Sequence, residues 1–219
     1  MSCEYRAEKS GIALDVQQKI AKKFDGKEAA KTLRWIRLLK SPNIVIPEKM
    51  NEAVQKIPKT IEDVNMNEYY DYLYNGLTLG YLMACLDPDF ASKLNSSKTW
   101  QVLDNNIFEI PRQRERIGKF LEFAADYGVK SASLFQTDQL YEKTNLPQVI
   151  VCLSQVGIEA QAKPGYTGPP GFWIQKHKEN KRNFTKEQLR SGETIIGMQA
   201  GFTGGATSSG VNFGNRRQM

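Results

Sequence analysis

The sequence has little histidine and little cysteine, and it lacks long apolar runs. Its single histidine, His177, stands among lysines, and its three cysteines follow no metal-ligand spacing. We therefore expect reduced thiols, no metal site and no cofactor. No run of about 18 apolar residues occurs, and the first ten residues are mostly polar or charged, which is unlike a signal peptide. The sequence thus indicates a cytoplasmic protein without a membrane partner.

Motifs of common enzyme classes are also missing. The chain has no phosphate-binding glycine loop followed by lysine, no HExxH and no Gly-x-Ser-x-Gly. The glycine-rich stretch GMQAGFTGG does not lie between a predicted strand and a predicted helix. We therefore expect a binding protein and not an enzyme, with no catalytic residues.

Positive charge is concentrated at one end of the chain. Residues 1–159 carry 21 Lys and Arg against 21 Asp and Glu, whereas residues 160–219 carry 9 against 3. The whole net charge of +6 therefore lies in the last 60 residues. Such asymmetry favours an acidic polymer as the partner, which could be a nucleic acid, an anionic membrane or a filament with an acidic surface.

Apolar periodicity over the first 160 residues predicts an all-α domain. Ile12, Val16, Ile20 and Phe24 recur every four positions, which predicts an amphipathic helix that ends near Asp25. Proline and glycine mark the ends of the later helices, and no strand-like alternation competes. The later predicted helices cover 28–39, 68–86, 111–128 and 147–157, with proline-containing loops and short helical turns in 41–66.

Composition changes after the last predicted helix. Ten of the 17 glycines fall within 165–214, and the segment holds few residues able to form a core. Such a segment buries too little apolar surface to offset its ordering entropy, so we expect it to be mobile until it meets a partner. The sequence predicts a helical domain over 10–158, with core helices from about residue 27, a Pro/Gly linker over 159–173 and a basic segment over 174–219.

Two stretches within the predicted domain resemble the calponin-homology domain of transgelins and related muscle proteins. They are NGLTLGYLMACLDPD at 75–89 and ERIGKFLEFAADYGVKSASLFQTDQLYEKTNLPQVIVCL at 115–153. The resemblance implies a compact calponin-homology fold with two buried tryptophans, which Trp35 and Trp100 match. It also implies that the domain binds actin weakly or not at all, and that it docks other proteins.

The last 36 residues, FTKEQLRSGETIIGMQAGFTGGATSSGVNFGNRRQM, are similar to the calponin-type repeat. One such repeat, at about 192–217, after one calponin-homology domain is the arrangement of transgelins. The resemblance implies a cytoskeleton-associated protein that stabilises, cross-links or regulates actin filaments in muscle-type or contractile actomyosin systems. Its filament contact would lie in the repeat and the basic segment.

The basic and apolar residues of this segment are the candidate contacts, because cations can pair with an acidic filament while apolar side chains anchor the segment. The candidate actin-binding residues are Lys176, Lys178, Lys181, Arg182, Lys186, Arg190, Ile195, Ile196, Gly197, Met198, Gln199, Gly201, Phe213, Arg216 and Arg217. Thr207 follows Gly205-Ala206, where calponin-type repeats carry a regulatory serine. Thr207 and the adjacent Ser208 are therefore candidate phosphorylation sites.

Two alternatives remain open. The chain could be a cytoskeletal signalling adaptor whose calponin-homology domain docks other proteins, which is compatible with actin binding. Less favoured is a nucleic-acid-binding tail, because single-stranded nucleic acid needs aromatic stacking and no RGG repeats occur. The aromatic residues that could stack are Tyr166, Phe172, Trp173, Phe184, Phe202 and Phe213.

Overall fold

A computed structural model describes residues 10–40, 46–94, 97–103, 106–176 and 182–193 of the chain. It divides into two compact units, Met1–Lys176 and His177–Met219. Within the described residues the regular structure is entirely helical. The prediction of an all-α fold is confirmed.

The first unit contains nine α-helices among its described residues, and all but the first contribute to one apolar core. Short 3-10 turns at Lys98–Trp100 and Ser131–Ser133 join some of them. The helices are α1 Ile12–Ala21, α2 Gly26–Leu38, α3 Glu48–Gln55, α4 Met66–Leu73, α5 Leu77–Leu86, α6 Pro88–Lys93, α7 Asn106–Tyr127, α8 Thr137–Tyr141 and α9 Leu146–Ala162.

The first helix is present but contributes nothing to the core. No residue of α1 is buried, and the Ile12 side chain is 83% exposed. The core begins with α2, where the Asp25 side chain accepts hydrogen bonds from the backbone N–H groups of Lys27 and Glu28 at 2.9 and 3.2 Å. This N-cap satisfies amide groups that the first turn leaves unpaired. It fixes the start of α2 at Gly26, two residues before the predicted start.

The prediction of one continuous helix over 68–86 was wrong. The chain breaks at Gly76, whose φ of 73° lies in the left-handed region, and the two halves form α4 and α5. A Cβ atom at this position would lie 2.6 Å from the Arg116 Cβ, so the site requires glycine for both conformation and space. The apolar pattern continues through the break, which is why periodicity did not reveal it.

Helix α7 begins five residues before the predicted start at Pro111, which lies inside the helix. The added turn is fixed by Glu109, which is buried and accepts hydrogen bonds from Leu103 N at 3.0 Å and Arg116 Nη1 at 2.6 Å. Proline costs the helix one backbone hydrogen bond. The charge-assisted contacts of Glu109 help to offset this loss.

The proline-containing region, which the sequence assigned to loops and short turns, contributes α3 to the core. Met50 and Val54 of α3 are buried. A Cβ atom at Gly80 in α5 would lie 2.4 Å from the Trp100 ring and 2.7 Å from the Met50 methyl group, so the absent side chain lets both pack against α5. Trp100 is 2% exposed and Trp35 is fully buried. The expectation of two buried tryptophans is confirmed.

The segment after α9, residues 163–176, packs onto the domain, and we call it the strap. Trp173 is 5% exposed and meets Trp35 edge-on with ring centroids 5.6 Å apart. It lies directly over Gly157, where a Cβ atom would be 2.2 Å from the indole nitrogen. The backbone N–H and C=O of Trp173 also bond to the Gln161 side chain at 3.0 and 2.9 Å. The compact unit thus continues to Lys176, beyond the boundary at residue 158 that the sequence suggested.

Candidate functional site

Four of the candidate actin-binding residues lie in the described part of the chain. They are Lys176, at the end of the strap, and Arg182, Lys186 and Arg190 in the second unit. The other candidates lie outside the described residues, and so do the candidate phosphorylation sites. These are Lys178, Lys181, Ile195, Ile196, Gly197, Met198, Gln199, Gly201, Phe213, Arg216, Arg217, Thr207 and Ser208.

Lys176 already has a partner on the domain. Its ammonium group lies 2.8 and 3.0 Å from the two carboxylate oxygens of Glu159 in α9. The Lys176 side chain is 57% exposed, so solvent reaches the ion pair and the pair can open. Lys176 therefore ties the end of the strap to α9 and is available to another anion only if that bond opens.

The second unit contains a short helix, α10, at Lys186–Glu193. Thr185 and Gln188 form a reciprocal cap: Thr185 N donates to Gln188 Oε1 at 2.9 Å, and Gln188 N donates to Thr185 Oγ1 at 3.3 Å. Lys186 and Arg190 stand one turn apart and are both exposed. Two cations are thus held side by side on a capped helix.

Two apolar residues accompany these cations and were not among the predicted contacts. Phe184, just before the cap, is 58% exposed, and Leu189, in the second turn, is 53% exposed. The sequence does contain a signal for them. A Thr-x-x-Gln box with one apolar residue directly before it and another directly after it is the pattern of a capped helix with a hydrophobic staple. That signal lies within FTKEQL at 184–189.

Most of the described aromatic residues proposed for base stacking are packed on the domain. Tyr166 accepts a hydrogen bond from Trp35 Nε1, and Trp173 is buried. The Arg34 guanidinium lies over the Phe172 ring, 5.5 Å from the ring centroid. Phe184 alone among the described candidates is more than half exposed. This arrangement leaves few free aromatic faces for a nucleic-acid strand.

The described residues offer little for metal or thiol chemistry. They contain no group of three or more His, Cys, Asp and Glu side chains placed to hold a metal ion. Burial raises the pKa of both the Cys85 and Cys152 thiols to about 12, which disfavours the reactive thiolate. In the part of the chain that is described, every helix is too short or too polar to cross a bilayer.

The helical first unit, with its two buried tryptophans, has the features expected of a calponin-homology domain. No protein-family model matches the chain. The chain is, however, 32% identical to myophilin of Echinococcus granulosus over 210 residues, which cover 96% of this chain and 95% of the relative. The chain belongs to the calponin/transgelin family and is a muscle-associated cytoskeletal protein of that type.

Proposed function

We propose that the chain is a non-enzymatic actin-filament-binding protein of the cytoplasm that stabilises, cross-links or regulates filaments in contractile actomyosin systems. The filament contact is assigned to residues 174–219. The observation that carries this assignment is the pairing of Lys186 and Arg190 with exposed Phe184 and Leu189 on the capped helix α10. Relatedness to myophilin supports the cytoskeletal setting.

The physical basis of the contact is charge pairing assisted by apolar anchoring. An actin filament presents an acidic surface, and cations that are preordered on a helix lose less conformational entropy on binding than cations on an unstructured chain. Phe184 and Leu189 add apolar area beside those cations. Because the charged partners are exposed, binding should weaken as salt rises.

Co-sedimentation with actin filaments tests this assignment. The full chain should pellet with filaments, and a chain that ends at Lys176 should remain in the supernatant. Lys186→Gln/Arg190→Gln should lower the affinity and its salt dependence. The matched variant Lys59→Gln/Lys130→Gln, which removes two exposed cations from the first unit, should bind like the parent chain. Undiminished pelleting of residues 1–176 would disprove the assignment.

A second candidate function is protein docking by the calponin-homology domain. The observation that favours it is a pair of adjoining surface cavities in the first unit, which share Phe123 and Asp126. Docking at this surface would let the domain recruit another cytoskeletal or signalling protein. It is compatible with filament binding and depends on none of the same residues.

A further inference from the structure

A continuous groove runs along one side of α7 in the first unit. Its first cavity, of about 420 Å³, lies between the ends of α5 and α7 and the start of the strap. The second, of about 390 Å³, lies between α7, Phe90 of α6 and Trp100. Phe123 and Asp126 line both cavities. We call the two together the acidic groove.

Aromatic rings form the floor of the acidic groove. Phe123 and Tyr127 stand one turn apart on α7, with ring centroids 5.0 Å apart. Phe90 meets the buried Trp100 ring edge-on at 5.6 Å. Phe90, Phe123 and Tyr127 are each half-buried, so part of each ring remains open to a ligand. Such surfaces accept apolar side chains and the planar guanidinium of arginine.

Carboxylates form the rim of the groove. Glu122 and Asp126 are exposed, and neither forms an ion pair with any described residue. Asp87 is half-buried at the N-cap of α6, where Oδ1 accepts a hydrogen bond from Asp89 N at 2.9 Å. Asp87 and Tyr127 line the same cavity, and the pKa of Tyr127 is raised, first by burial and next by the Asp87 carboxylate.

The two lysines that line the groove leave this negative charge largely unneutralised. Lys119 is engaged by Glu115 at 3.0 Å and by Thr99 Oγ1 at 2.7 Å. Lys163 lies over the Tyr127 ring, with Nζ 3.3 Å from the centroid. Among the described residues of the groove, Lys163 is therefore the one cation without an ion pair, and it faces three carboxylates.

We propose that the acidic groove docks a basic peptide segment of a partner protein. The segment places an arginine or lysine among Asp87, Glu122 and Asp126, and it places an apolar side chain against Phe90 and Phe123. Each cavity lies near the lower end of the range of about 300–1,000 Å³ that is typical of small-molecule sites, which suits one or two side chains. This inference rests on the docking function proposed above and is independent of filament binding.

Arginine fits this site better than lysine on chemical grounds. Its guanidinium is planar, so it can stack on the Phe123 ring while its N–H groups donate to the carboxylates at the rim. An ammonium group can pair with the carboxylates but offers no stacking plane. We therefore expect arginine-containing segments to bind more tightly than lysine-containing ones.

Fluorescence anisotropy on the full chain tests the proposal. The probe is a labelled ten-residue peptide of alternating arginine and leucine, compared with the same peptide carrying uncharged citrulline in place of arginine. Glu122→Gln/Asp126→Asn should weaken binding of the arginine peptide about fivefold to tenfold, as expected for two partly exposed charges. The matched variant Glu62→Gln/Asp71→Asn removes two exposed carboxylates outside the groove and should change binding less than about twofold. Both pairs of residues are exposed, and unchanged thermal melts will establish that the variants remain folded.

Several outcomes would overturn the proposal. Equal losses in the two double variants would mean that binding reflects overall charge, and equal affinity of the citrulline peptide would mean that cations are not recognised. Salt-sensitive dimers of the chain that only the groove variant abolishes would assign the groove to a second copy. Groove binding of a peptide that alternates glutamate and leucine would overturn the charge assignment while leaving the docking function in place.

Discussion

Trp35 Nε1 donates a 2.8 Å hydrogen bond to Tyr166 Oη, which joins α2 to the strap across 131 residues of sequence. The same Trp35 ring is covered by Trp173 from the end of the strap. Two points of the strap thus converge on one side chain of the core. The strap is held by specific contacts and adds to the domain that it follows.

Replacing Tyr166 with phenylalanine should destabilise the domain. The substitution leaves the Trp35 N–H without its acceptor in a partly buried place, which costs about 1–3 kcal/mol. Chemical denaturation followed by Trp fluorescence measures the effect. Tyr74→Phe is the matched control, because Tyr74 stacks on Tyr70 and no hydrogen bond of its hydroxyl is seen among the described residues. Equal midpoints for the two variants would show that the hydrogen bond contributes nothing.

Two truncations should distinguish the contribution of the strap to stability from that of the chain beyond it. A chain that ends at residue 176 should keep the stability of the full-length protein, whereas one that ends at residue 162 should lose about 3–5 kcal/mol, the usual cost of removing a buried large aromatic side chain such as Trp173. Circular dichroism during thermal unfolding provides the comparison. A midpoint that does not differ between the two truncations would contradict a stabilising strap.

The sequence predicted those parts of the fold that depend on local pattern. The helical class followed from apolar spacing, and the burial of Trp35 and Trp100 was implied by the family resemblance; both are confirmed. The break at Gly76 was missed because it depends on the close approach of Arg116 from a distant helix. Residues 159–173 were interpreted as a linker because their proline and glycine content suggests mobility. In the strap, however, Tyr166 and Trp173 contact Trp35, a partner that is distant in sequence.

Arg116 should be among the costliest charged residues of the domain to replace. It is fully buried, pairs with Glu109, and donates to the carbonyl oxygens of Thr99, Asn75 and Gln101. Arg116→Met should cost about 3–5 kcal/mol, because it leaves Glu109 charged and unpaired in the interior. Urea denaturation gives the value.

Two further variants test whether the ion pair causes that loss. Adding Glu109→Gln to Arg116→Met should recover at least about 1 kcal/mol, since coupled residues are not additive. Arg114→Met, which breaks partly exposed pairs with Asp138 and Glu142, should cost less than Arg116→Met, since the Arg114 side chain is 38% exposed. A double variant less stable than Arg116→Met would argue against an unpaired Glu109 as the cause.

The sequence predicted which residues make up the candidate site, but it did not predict how they are arranged in space. Lys186 and Arg190 were chosen for their charge, and the structure places them one turn apart on a capped helix. Lys176 was chosen for the same reason, yet it pairs with Glu159. Charge counts cannot distinguish a free cation from a paired one, because the partner here lies 17 residues away in sequence.

Thiol labelling should show a pH dependence set by burial. The pKa of Cys85 and of Cys152 is raised to about 12, so at pH 8 roughly one thiol in ten thousand is a thiolate. Labelling of native Cys85 by iodoacetamide should be slow and should keep rising above pH 9, where labelling of an unfolded cysteine levels off. Cys152 is fully buried, so its labelling should require unfolding. Peptide mass spectrometry, with a urea-unfolded control, follows each site. Native labelling as fast as the control would contradict the burial effect.

Phosphorylation at Thr207 should weaken filament binding. A phosphate adds about −1.5 to −2 charges to a segment whose proposed attraction to the filament depends on positive charge, including Arg216 and Arg217. Thr207→Glu should therefore co-sediment less than Thr207→Ala, and the difference should shrink as salt rises. Ser208→Glu provides the comparison at the neighbouring candidate site. Equal affinities for glutamate and alanine at residue 207, at every salt concentration, would remove the proposed switch.

The position of Trp173 has a mechanical consequence. It lies three residues before Lys176, the last residue of the first unit, and its ring is wedged between Trp35 and Gly157. A pull on the end of the first unit would act on Trp173 and, through its ring contact, on Trp35 of α2. The exposed pair between Lys176 and Glu159 would add little resistance, so the packed indole would bear most of the load.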